Sequence, residues 1–235
     1  MWLVNLSGKP SVKHGIPYPV FARVSMGVFG ANFPAMARGL VAMFWYGAQT
    51  YAASTAVALL ITGLTGITIT DDAFNLYVMI EIAALSSYAL IAFGKARAYL
   101  ATFNYLIMGS IGACFYLLGV GYVFLKVGSL NMGQIALASS SLLSSDAFFV
   151  GFVFIIIGIW VKMAFFPLHS WLPNAYTFAP TATSCLVAPL MTKVSVYVMI
   201  RMMMTVFGTE FTFSVTQFQT GVVWLAIIAI LVGSG

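Results

Sequence analysis

Residues 154–176 read FIIIGIWVKMAFFPLHSWLPNAY. An unbroken apolar run carries a single lysine, Lys162, and meets a proline at Pro167. A membrane strand would alternate apolar and polar residues, and this run does not, so it predicts a helix. Proline removes a backbone donor and interrupts the helical ladder. Carbonyls freed at membrane depth are tolerated only where they are buried in protein or line a hydrated cavity. The stretch therefore predicts a spanning helix that breaks inside a membrane protein, beside a charge.

The rest of the chain agrees. Of its 235 residues 62% are hydrophobic and 6% charged, against about 25% charged in soluble domains. A soluble globular protein and a disordered chain are excluded. Lys and Arg outnumber Asp and Glu by 10 to 5, but they are dispersed and form no basic stripe, so no nucleic-acid partner is expected. Cys114 and Cys185 stand singly in apolar runs, which suggests neither a metal site nor a disulfide. No flavin, iron–sulfur or quinone motif is present, and no cofactor is expected.

A spanning helix takes about 20 apolar residues, so the length allows roughly five to seven. The predicted fold is all-α, a polytopic transmembrane bundle of about six spans with one broken helix near Pro167. The spans fall at about 39–64, 73–93, 101–125, from 147 to the break, 181–206, and from 219 onward. Met1–Leu6 is too short for a signal peptide core. The segment from Ser7 to Arg38, with Pro10, Pro17, Pro19 and Pro34, reads as extended or surface chain. Residues 126–146 and 166–180 read as polar connections. Alternating loops put Lys9, Lys13, Arg23, Arg38, Lys95 and Arg97 on one side. Basic loops stay in the cytoplasm, which places the N-terminus there.

Three ionisable residues fall inside spans: Glu81, Lys162 and Lys193. A central acid or lysine costs about 2.5–3.5 kcal/mol to insert, so such residues face protein or water and pair or carry ions. Burial disfavours the charged form, and a buried lysine can exchange protons near neutral pH where an exposed one cannot. A carboxylate nearby favours the charged lysine. Three such groups on three helices make a switchable proton relay. The alternatives are a structural ion pair for Glu81, snorkelling to the surface for Lys162, and a structural role for Lys193. His169 titrates near neutrality when unperturbed and could connect the break to the lysines; its alternative is a capping or interface role. Trp171 reads as an interfacial anchor.

The motifs GLTGITITDDAFNLYVMIEIAALSSYALIA (63–92), NYLIMGSIGACFYLLGVGYVF (104–124), GSLNM (128–132) and VKMAFFPLHSWLPNAYTFAPTATSCLVAPLMTKVSVYVMIR (161–201) resemble the antiporter-like membrane subunits of respiratory complex I and of Mrp-type sodium/proton antiporters. The ITITDDAFNLYVMIEI form looks closer to the Mrp D-type branch. The resemblance covers residues 63–216 and implies proton translocation in a hetero-oligomer of membrane subunits, with protons or sodium as the coupling ion, in a bacterial inner membrane. It also implies a subunit of an NADH:quinone oxidoreductase-type complex as one setting. The family's functional charges match Glu81, Lys162 and Lys193. Two inverted repeats, each with a broken helix, are implied for the family, and this chain stops before the second break.

A second resemblance lies upstream. KHGIPYPVFARVSMGVFGANFPAMARGLVAMFWYGAQT (13–50) is similar to the nucleobase–cation symporters, the permeases for cytosine, allantoin and hydantoins. Trp45 and Gln49 match positions used there to stack on and hydrogen-bond a flat heterocycle, and their i, i+4 spacing puts them on one helix face. An interfacial Trp and a helix-contact Gln are the alternative. The expected organisation is a permease-like segment with one span at 1–62 and a proton-antiporter-like domain at 63–235. Because the two resemblances meet near 61–66, a chimeric or fragmentary chain, inactive in isolation, is also expected.

Overall fold

A computed structural model describes residues 32–94, 97–215 and 218–233. The basic residues Lys9, Lys13, Arg23 and Lys95, and residues 13–31 of the stretch expected to be permease-like, lie outside the described residues. The chain divides into two compact units, Met1–Ser54 and Thr55–Gly235.

Helix α1 (Asn32–Ile69) begins seven residues before the expected start at 39. Pro34 falls in its first turn, where a missing N–H costs nothing. The described part of the first unit is this helix, and its Leu40, Phe44 and Tyr51 side chains are exposed.

The second unit holds the end of α1, then α2 (Ala73–Ala92), α3 (Ala98–Val127), α4 (Met132–Ser139), α5 (Asp146–Met163), α6 (Trp171–Phe178), α7 (Thr181–Arg201), two π-helical segments at Met202–Val206 and Glu210–Val215, and α8 (Phe218–Gly233). Five helices among the described residues are long and apolar enough to cross a membrane, and the sixth predicted span appears as the shorter apolar helix α8. The fold is an all-α membrane bundle.

Glycines set how closely its centre packs. A Cβ on Gly158 would stand 2.6 Å from the Gly112 carbonyl oxygen, and one on Gly119 would stand 2.6 Å from that of Gly151. The two pairs recur every seven residues, so α3 and α5 touch backbone to backbone twice. Small residues do this in bilayers, where van der Waals packing drives helix association. Gly63 does the same for α1 on α2: a Cβ there would lie 2.8 Å from the Ala83 nitrogen. A Phe148, Phe152, Phe207 and Phe211 cluster fills the end of the bundle where α5 starts.

Residues 126–146 are more ordered than expected. Asp72 accepts from Asn75 N–H (2.8 Å) and caps α2, while Asn131 accepts from Gln134 N–H (3.1 Å) and caps α4. The two caps face each other across an antiparallel bridge. Ala73 N–H donates to the Leu130 carbonyl (2.9 Å) and Met132 N–H to that of Asp71 (2.8 Å). Loops 70–72 and 128–131 are thereby tied together at one end of the bundle.

The predicted break is present. Helix α5 stops at Met163, and Ala164 takes a left-handed conformation (φ 56°) as its cap. The following residues, expected to be loop, contain the short helix α6 before α7 starts after Pro180.

Candidate proton-transfer site

Lys162 lies in the last turn of α5 and is 7% exposed, and its Nζ is 2.5 Å from Glu81 Oε1 on α2. Glu81 is near mid-helix in α2 and 21% exposed. Of the three charges predicted within spans, the structure brings these two together. The close approach of α3 to α5 at Gly112 and Gly158 forms one wall of the space beside them. That space is a cavity of about 10 Å³ bordered also by Tyr77, Tyr116 and Ser195, at the lower limit for a single water. Tyr116 Oη donates to the Ala73 carbonyl (3.2 Å), and Ser195 Oγ to that of Met191 (2.9 Å). A buried ion pair is held only where its desolvation is offset by contact and further hydrogen bonding; here the contact is the direct one, while the Tyr116 and Ser195 hydroxyls are spent on backbone carbonyls.

The break in α5 is closed by aromatic contacts that composition did not reveal. Trp171, expected as an interfacial anchor, is buried at 3% exposure. Its indole stacks on Tyr105 at 4.1 Å, nearly parallel, and Tyr88 meets Tyr105 edge-on at 4.5 Å. The indole N–H donates to the Val161 carbonyl. An interfacial tryptophan needs water for its N–H; here the carbonyl next to Lys162 takes that place. On the same short helix as Trp171, burial pushes the Tyr176 phenol up to about 12.

Lys193 does not join the pair. On α7 the inward positions are Met191, Ser195 and Val198, and Lys193 projects from the exposed side. Two residues turn a helix by about 200°, which carries position 193 away from the face that holds 191. His169 is exposed, its ring 5.6 Å from that of Phe166 and apart from the ion pair. Trp45, 63% exposed, and the exposed Gln49 lie one turn apart on α1 in the first unit.

A second charge pair went unforeseen. Arg201 at the end of α7 donates to Asp71 Oδ1 (2.5 Å) and to the Ile67 carbonyl (3.3 Å). Sequence offered one signal for it: an arginine ending one span and acids opening another, both on the same side of the membrane by loop alternation.

Residues 70–235 match the family described as "NADH:quinone oxidoreductase/Mrp antiporter, TM". The chain is 46% identical over 172 residues to the NADH-quinone oxidoreductase subunit N of Desulforudis audaxviator, covering 73% of this chain and 34% of that protein. It is 30% identical over 180 residues to the D-type Na(+)/H(+) antiporter subunit of Bacillus subtilis, covering 75% and 35%. A chain of the Mrp complex from Dietzia sp. superposes with a TM-score of 0.59 at 26% identity, over 65% of this chain and 29% of that one. The chain thus spans about a third of the length of the relatives it matches. The stretch expected from sequence to be permease-like, with Trp45 and Gln49, lies upstream of the matched residues, and none of these likenesses bears on that expectation. With more than half of its residues matched, and a broken helix and charged pair set within that part, the chain belongs to the NADH:quinone oxidoreductase/Mrp antiporter family of membrane proteins.

Proposed function

We propose that this chain is a proton-translocating, antiporter-like membrane subunit in which Lys162 carries the proton and Glu81 sets its affinity. The observation that carries this reading is the 2.5 Å contact between Lys162 Nζ and Glu81 Oε1 on two membrane-crossing helices. While Glu81 is ionised and in contact it holds the lysine charged; protonation or withdrawal of the carboxylate favours release. Lys193 would pass protons onward from the far side of α7, and His169 would connect the break to water. The partners are other membrane subunits of a hetero-oligomeric antiporter or respiratory complex, in a bacterial inner membrane with the N-terminus in the cytoplasm. In a respiratory setting the oxidoreductase chemistry would belong to those partners. The names of the relatives support both settings, a sodium/proton antiporter and a quinone reductase.

The test is proton flux in inverted membrane vesicles containing the chain with its partner subunits. A dye-quench signal driven by a sodium gradient marks the antiporter setting, and one driven by NADH the respiratory setting. Either signal should vanish in Lys162→Ala and fall steeply in Glu81→Gln. Flux that persists at full rate in Lys162→Ala defeats the proposal.

A further inference from the structure

The bundle contains a buried hydroxyl with no apparent use. Tyr88 is 4% exposed, and its Oη has no hydrogen-bond partner among the described residues. Leaving a buried donor unsatisfied is destabilising, so its place beside other polar groups is informative. Tyr88 follows Glu81 by seven residues on α2, about two turns, and shares its face. Gly109 on α3 makes the room: a Cβ there would overlap Tyr88 Oη and stand 3.7 Å from Lys162 Nζ. The phenol and the amine are therefore near neighbours. The ring is held edge-on against Tyr105, which is itself stacked on Trp171.

We propose that Tyr88 Oη is the second hydrogen-bond position of the Lys162 side chain, taken when the amine leaves Glu81. An ionised carboxylate only accepts, so Glu81 holds the ammonium firmly but offers no proton to the lone pair of the neutral amine. A hydroxyl accepts from an ammonium and donates to a neutral amine, so Tyr88 serves both protonation states. The flexible stem of lysine lets Nζ change partner without helix movement. The groups around Lys162 are Glu81, Tyr77 and Tyr88 on α2, Tyr105 and Tyr116 on α3, Trp171 on α6 and Ser195 on α7. Tyr116 and Ser195 already donate to backbone carbonyls and Trp171 to Val161, whereas the Tyr88 proton is uncommitted. Tyr88 is a positioning residue, and its effect on flux, though not its contact with Lys162, rests on the proton-transfer reading above.

Two measurements on the assembled complex decide this. In a cryo-EM structure of the Glu81→Gln complex, Lys162 Nζ should lie within hydrogen-bond distance of Tyr88 Oη. An amine still on the amide at position 81, or turned into the cavity toward Ser195, overturns the proposal. In vesicles, Tyr88→Phe should lower proton flux about tenfold and displace its pH profile by about one unit, with complex yield and melting temperature unchanged. An unaltered rate and profile overturn it as well. If the unmodified complex moves no protons, the functional reading fails alone, and the position of Nζ still decides the role of Tyr88. If Tyr88→Phe does not assemble, the Glu81→Gln structure again decides.

Discussion

Trp171 Nε1 lies 3.2 Å from the carbonyl oxygen of Val161, the residue immediately before Lys162. A side chain from α6 thus satisfies the backbone of α5 at the point where that helix stops. The same carbonyl also receives Ala164 N–H at 3.2 Å. The break is therefore a closed structure whose geometry depends on an indole.

Trp171→Phe should keep a ring against Tyr105 and lose the donor. A net loss of about 0.5–1.5 kcal/mol is expected for one hydrogen bond, and Trp171→Ala, which also empties the stack, should cost about 3–5 kcal/mol. Denaturant titration of the purified complex in detergent measures both. Equal losses in the two variants would mean that the ring contributes little beyond the N–H.

Removing one member of the Lys162–Glu81 pair should hurt more than removing both. Lys162→Met leaves a partly buried carboxylate and Glu81→Gln a buried ammonium, each costing about 3–5 kcal/mol, whereas the double variant retains no stranded charge. A double-mutant cycle by the same titration should therefore show strong non-additivity. Additive losses would indicate two independently solvated groups.

Gly158→Leu should prevent α3 and α5 from meeting, because its Cβ alone would fall 2.6–2.9 Å from the Gly112 carbonyl and from Tyr116. Gly121→Leu, where nothing lies within 4 Å, is the matched control and should be tolerated. Complex yield after detergent extraction reads the difference.

The Arg201–Asp71 pair should behave as a surface contact. Asp71 is 76% exposed, so Asp71→Asn should change stability by less than about 1 kcal/mol and by less still at high salt. Arg201→Ala should cost more, since it also abandons the Ile67 carbonyl. Thermal melts in low and high salt separate the two.

Trp45→Ala and Gln49→Ala should leave proton flux unchanged, because both residues are exposed in the first unit and upstream of the matched family. Uptake of a labelled nucleobase by the same vesicles, abolished in Trp45→Ala, would instead support the permease-like reading of this segment.

The long helices were legible because a bilayer demands long apolar runs, and α2, α3 and α7 start and end within a few residues of the expected positions. The charges at 81 and 162 were legible for the same reason: insertion cost singles them out whatever their surroundings. Insertion cost gives depth but not direction, which is why Lys193 looked equivalent to Lys162 while facing the opposite way from Ser195 and Val198. The short helices α4 and α6 escaped because eight residues carry too little periodicity to announce a helix. They depend on Asn131 as a cap and on Trp171 reaching Tyr105 and Val161, and such contacts exist only after folding.

The two glycine contacts between α3 and α5 have a mechanical consequence. Backbones that meet at Gly112–Gly158 and again at Gly119–Gly151 bring the end of α5, and with it Lys162 four residues beyond Gly158, close against α3. Four methylenes then separate its Cα from its amine, a lever short enough to confine the amine to its immediate neighbours.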